Sequence, residues 1–126
     1  MAWIVGNIQW IMLASGVLTL TMAQAVFAPS RTLTALFGET LEGPLARLIV
    51  RNWGFLIVAS AGMLIYGAFH PDVRPLVLVF CGAGKLCFVS LVFAGGARYA
   101  RRQAFLAAIL DTIMVILFAA YLLAAL

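Results

Sequence analysis

Four apolar runs, each close to the length of a bilayer-spanning helix, are what most constrains this chain. They extend from about Trp3 to Ala28, Leu45 to Phe69, Leu76 to Gly95, and Ala104 to the C-terminus. A helix needs about 20 predominantly apolar residues to cross a hydrocarbon core. Four spans with short connections therefore account for nearly all of the 126 residues. The alternative, a water-soluble domain, fails on area. The chain is 66% hydrophobic and 10% charged, with mean hydropathy +1.15, where a soluble domain is about half apolar and a quarter charged. A domain this small has no interior large enough to hide that surface. The expectation is a single domain over residues 1–126, an all-α membrane protein built as a four-transmembrane-helix up-and-down bundle.

The connections carry their own signals. The first span lacks a basic leading segment, so it reads as a retained helix, although "AQA" at 23–25 has the form of a cleavage site. Pro29 is expected to end it. In "SRTLTALFGETLEGP", Ser30 reads as an N-cap and Gly38 as a helix stop. Leu33, Leu36 and Phe37 share one face at helical spacing, which predicts a short interfacial helix between the first two spans. Pro44 suits the first position of the second span. "HPDVRP" at 70–75 and "GGARYARRQ" at 95–103 are tight connections.

Charge placement predicts an orientation. The 29–45 segment and the 96–103 turn share one side of the bundle with Arg31, Arg47, Arg98, Arg101 and Arg102, while the opposite connection holds Arg74. Cytoplasmic loops carry the excess of Lys and Arg. Loops 29–45 and 96–103 are thus expected in the cytoplasm and both termini outside. The same arginines can meet anionic lipid headgroups, and nothing in the pattern calls for nucleic acid.

Polar residues inside the spans are the candidate site: Arg51, Asn52, Lys85 and Asp111, with Gln24 as a fifth. At 1.5 Å per residue, Arg51 lies about 6–9 Å, Asp111 about 11 Å and Lys85 about 15 Å from the same end of the bundle. Arg51 shares a helical stripe with Gly54, Val58, Ala61 and Gly62; Lys85 with Cys81 and Gly82; Asp111 with Ala104, Ala107 and Ala108. Small residues mark helix contacts in membranes. Each charge is therefore expected to face inward, where ionisable side chains pair. Lys85 is expected to pair with Asp111. Arg51 then needs Glu39 or Glu42, or stays free to hold an anion. An acyl or ring portion of such a ligand would lie among Trp53, Phe55, Phe88 and Phe118. A proton relay through Asp111 is a further reading.

Other motifs are sparse. Cys81 and Cys87, about 240° apart on one helix, cannot pair with each other and read as small core residues. His70, beside Pro71, reads as a turn residue. No metal site, nucleophile elbow, phosphate-binding loop, dinucleotide fingerprint or strict GxxxG is present, and no cofactor is expected.

"FAPSRTLTALFG", followed by "LARLIVRNWGFLIVASAGMLIYG", resembles the small DoxX-like membrane proteins, which include a bacterial branch of unknown function. The matching positions are Phe27, Pro29, Phe37, Gly38, Arg51, Gly54 and Gly62, with Ile49 and Val50 where relatives often carry an acid. The resemblance implies a four-helix bundle in a bacterial inner membrane. "VRNWG" is also similar to the glutathione-dependent membrane enzymes, but the acid-and-proline context is absent. Small multidrug carriers keep an essential acid in the first helix, and here there is none.

Three functions follow as expectations. The first is non-enzymatic binding of an amphipathic or lipid-like anion at Arg51, Asn52, Lys85 and Asp111, flanked by Gln24 and Trp53. The second is a structural or accessory subunit, self-associated or in a membrane complex, whose charges only lock the bundle. The third is a glutathione-dependent membrane enzyme using Arg51 to activate a thiol or orient a carboxylate.

Overall fold

A computed structural model describes residues 2–96, 99 and 102–125. Among these the secondary structure is helical throughout, with no strand. The first span comprises α1 (Ala2–Leu20), a 3-10 turn (Thr21–Ala23) and the single-turn helix α2 (Gln24–Phe27). Helix α3 (Pro29–Phe37) is the short connecting helix. The remaining spans are α4 (Pro44–Phe69), α5 (Arg74–Ala94) and α6 (Gln103–Ala125).

Local chemistry sets the boundaries. The break in the first span coincides with Thr19 and Thr21, whose hydroxyls donate back to Ser15 O (2.7 Å) and Leu18 O (2.6 Å). Such back-bonding bends helices. Ser30 is not the N-cap of α3. Ala28 takes that place at φ −138°, ψ 68°, and Pro29 opens the helix. Proline prefers the first helical position, lacking the N–H that would be unsatisfied there, and it drives the preceding residue out of the α region. The expected stop holds: Gly38 is left-handed at φ 74° and its N–H donates to Thr34 O at 2.9 Å. Pro44 opens α4, after Gly43 at φ 100°. The far end of α4 is closed by a side chain. Arg74 donates from Nε to Gly67 O (3.1 Å) and from Nη2 to Ala68 O (2.9 Å), placing a cation on the exposed carbonyls. His70 stacks on Tyr66 in the same turn, centroids 3.8 Å apart.

The spans pack as two close pairs, α1 with α4 and α5 with α6; lighter α4–α5 and α1–α6 contacts complete the ring. Consecutive spans are thus neighbours, as in an up-and-down bundle. Two glycines set the close approach of the first span to α4. A Cβ on Gly16 would sit 2.7 Å from Ile65 Cγ1 and 3.0 Å from Ala61 O, and one on Gly54 would sit 2.7 Å from Ala25 Cβ. The main core joins all four spans through Met12, Leu64, Leu78 and Phe118, each at most 1% exposed. Helix α3 lays Leu33, Leu36 and Phe37 onto the end of the bundle, against Ala25, Val50, Val92 and Ala104. Its apolar face is covered by protein.

The outward faces identify the solvent. Only 17–28% of each span's most apolar window is buried inside the bundle. Leu45, Leu76, Leu91 and Leu123 are 68–71% exposed. Four helices of this length and hydropathy, oily on the outside, make this a small multi-pass membrane protein.

Candidate functional site

Lys85 and Asp111 meet. Lys85 Nζ lies 3.0 Å from Asp111 Oδ1, bridging α5 and α6, with side chains 10% and 20% exposed. A third residue completes the cluster. Lys85 Nζ also donates to Thr19 Oγ1 of α1 at 3.1 Å, while the Thr19 hydroxyl donates to Ser15 O at 2.7 Å. The polar chain runs Asp111–Lys85–Thr19–Ser15 and ties three of the four spans. Among the described residues no buried side-chain nitrogen or oxygen lacks a partner. Cys81, one turn before Lys85, sits in the core with Sγ 3.5 Å from Ser60 O.

The small-residue stripes account for part of this. Ala104 and Ala108 are fully buried, bringing α6 close to its neighbours and directing Asp111, one turn later, toward Lys85. Thr19 escaped the sequence reading because a search for charges passes over hydroxyls. Its available signal is the "SGVLT" pattern of 15–19, in which Ser15, Gly16 and Thr19 are all buried on one face of α1.

Arg51 does not join the cluster. It is exposed on α4 although Gly54 and Ala61 of its expected stripe are buried, and Gly62 is open, with nothing within 4 Å of a Cβ built there. The stripe is wider than the contact. Gly54 and Ala61 meet the first span, whereas Arg51 and Gly62, rotated from them around the helix, fall outside. Among the described residues Arg51 makes no ion pair with Glu39, Glu42 or any other acid. With Pro44, Arg47 and Leu48 it lines an open depression of about 370 Å³. Asn52 and Gln24 are exposed as well. Arg98 and Arg101, counted in the charge bias, lie outside the described residues.

The aromatic expectations divide similarly. Trp53 and Phe88 line an apolar groove of about 330 Å³ with Leu33, Phe37 and Tyr99. Phe118 is a core residue at 1% exposure, and Phe55 faces outward at 59%. Cys87 is also exposed, so only Cys81 is a core cysteine. Among the described residues no three His, Cys, Asp or Glu side chains gather as metal ligands.

The chain matches no known family model, no curated protein and no solved structure.

Proposed function

We propose that this protein acts without catalysis, as a structural or accessory unit of a membrane assembly. The observation that carries this reading is the polar chain Asp111–Lys85–Thr19–Ser15. Two of the three ammonium donors are engaged within the protein, by an acid and a hydroxyl on two other spans. This largely buried position between three spans is that of a clasp fixing their register. The test is a comparison of Lys85→Met, Asp111→Asn and the double apolar variant in SDS-induced unfolding. A clasp requires each single change to destabilise and the double change to recover. A stable Lys85→Met protein that has lost a stoichiometric small-molecule adduct by native mass spectrometry would overturn it.

One observation favours a second reading, binding of an amphipathic anion. Arg47 and Arg51 stand one turn apart on α4, exposed and lining one depression. In this reading they hold a lipid headgroup or similar anion without Lys85. Loss of a native-mass-spectrometry adduct in Arg47→Gln/Arg51→Gln, with Lys85→Met unaffected, would favour it over the clasp alone.

The DoxX-like kinship and a bacterial inner-membrane location belong to the same proposal. Gly38 at its left-handed φ, Gly54 against Ala25, and Pro29 at a helix start give three of the resembling positions a structural reason. For orientation, the described Arg31, Arg47, Arg51 and Arg102 share one end of the bundle, and Arg74 at the other end is engaged on α4 carbonyls. This supports placing the α3 end in the cytoplasm and both termini outside.

A further inference from the structure

The outward face of α4 combines the regular spacing of any exposed helix face, seen also on α5 at Leu76, Phe80, Ala83, Cys87, Ser90 and Ala94, with a polar residue that contact with lipid does not require. Leu45, Leu48, Asn52, Phe55, Ala59, Gly62, Tyr66 and Phe69 follow one another at alternating spacings of three and four, and all eight are exposed. This is a heptad seam along the whole helix, with Leu45, Asn52, Ala59 and Tyr66 at one core position and Leu48, Phe55, Gly62 and Phe69 at the other. Helices with such a seam pack against one another with knobs in holes.

Asn52 distinguishes this face from ordinary lipid contact. Helix α4 has 26 residues, so at 1.5 Å per residue it is about 39 Å long, some 9 Å longer than a hydrocarbon core. With that excess shared equally between the two ends, Asn52, roughly 12 Å from the start of the helix, lies about 7 Å inside the apolar region. Arg51 at that depth can extend its long stem to the headgroups. The Asn52 amide cannot, and among the described residues it has no hydrogen-bond partner, whereas Ser60 of the same helix donates to Ile57 O at 2.7 Å. An unpartnered amide facing hydrocarbon is costly.

We infer that the α4 seam is the contact with a second copy of this chain. The inference rests on the accessory-unit reading and names its partner. The amide carries both a donor and an acceptor, so it is complementary to itself. A two-fold axis along the membrane normal places α4 parallel to its symmetry mate. It sets Asn52 opposite Asn52 in an isologous interface. Two further features fit that geometry. Ala59 and Gly62 form a notch in the seam where two backbones can approach, and a Cβ on Gly62 meets nothing in the protomer. Arg51 flanks the seam, so the two guanidiniums can turn outward to the headgroups.

The test is Förster transfer between labelled copies in vesicles across a range of protein-to-lipid ratios. It is paired with oxidative cross-linking of Ala59→Cys in a Cys87→Ser background. The wild type is expected to dimerise, Asn52→Leu to weaken dimerisation about tenfold, and Gly62→Leu to abolish it. Ala59→Cys should cross-link, and Leu106→Cys, on the exposed face of α6, should not. Neither Asn52 nor Gly62 is packed within the protomer, so both variants should unfold like the wild type when it is diluted in micelles to the monomer. A monomer at every ratio overturns the inference, as does a dimer indifferent to Asn52→Leu. Either failure leaves the Lys85–Asp111 unfolding comparison standing, whereas failure of that comparison with an Asn52-dependent dimer would sink the clasp and keep the seam.

Discussion

Replacing Lys85 by Met removes the cation from the polar chain and strands Asp111 between α5 and α6. Breaking a buried ion pair from one side costs about 3–5 kcal/mol, because the surviving charge is left without compensation. The side chains are 10% and 20% exposed, which argues for the lower figure, about 3 kcal/mol. Losing the hydrogen bond to Thr19 adds about 0.6 kcal/mol, the average for interhelical bonds in membrane proteins. Asp111→Asn should cost less, about 2 kcal/mol, since the lysine stem can carry its charge toward the interface. The double variant Lys85→Met/Asp111→Leu should lie within about 1 kcal/mol of the wild type, because no buried charge remains. On these figures the two single costs exceed the double by about 4–5 kcal/mol, above the 0.5–3 kcal/mol usual for groups in one network, because each single change strands a buried charge that the double change removes. SDS titration of the purified protein in mixed micelles, followed by circular dichroism, measures all four proteins. Additive single effects, or a Lys85→Met protein within about 0.5 kcal/mol of the wild type, would rule out a Lys85–Asp111 clasp.

Gly16→Leu should separate α1 from α4 and cost about 1–3 kcal/mol, because its Cβ would meet Ile65 and the Ala61 carbonyl. Gly84→Leu, with nothing within 4 Å, should leave the same SDS midpoint unchanged. Gly38→Ala should lose about 1–2 kcal/mol from the left-handed φ alone, and Gly38→Asn should recover part of it; thermal unfolding in detergent compares them. Arg74→Ala should uncover the Gly67 and Ala68 carbonyls and destabilise by about 1.5 kcal/mol. Hydrogen exchange should rise in the last turn of α4 while the α3 end is unaffected.

The number of spans, their near-boundaries and the short connecting helix could be read from the chain alone. A bilayer imposes length and hydropathy on each segment separately, and prolines and glycines act on the residues beside them. Pro44 and Gly38 therefore kept their expected places, and Ser30 lost its capping role to the proline before it, another local effect. The Lys85–Asp111 pair was legible for a related reason: few charges lie at that depth, and a buried cation with one acid in reach has little choice.

Which face of a helix turns inward is not a local property. Arg51 and Gly54 are close enough in sequence to suggest one stripe, yet the first span crosses α4 through Gly16 and Gly54, leaving Arg51 and Gly62 outside. Cys87 was excluded from the core in the same way. Thr19 became a member of the cluster because the long Lys85 stem reaches across the bundle from α5 to α1, which are not adjacent in the ring, and no pattern within either helix states that distance. Four membrane crossings, and the charges that lie within them, follow from residue order alone, because partition between water and hydrocarbon is a sum over residues. Which of those polar groups satisfy one another, and which, like Asn52, are left facing outward, follows from the packing of the spans. Helix rotation and crossing depend on side chains from several spans at once.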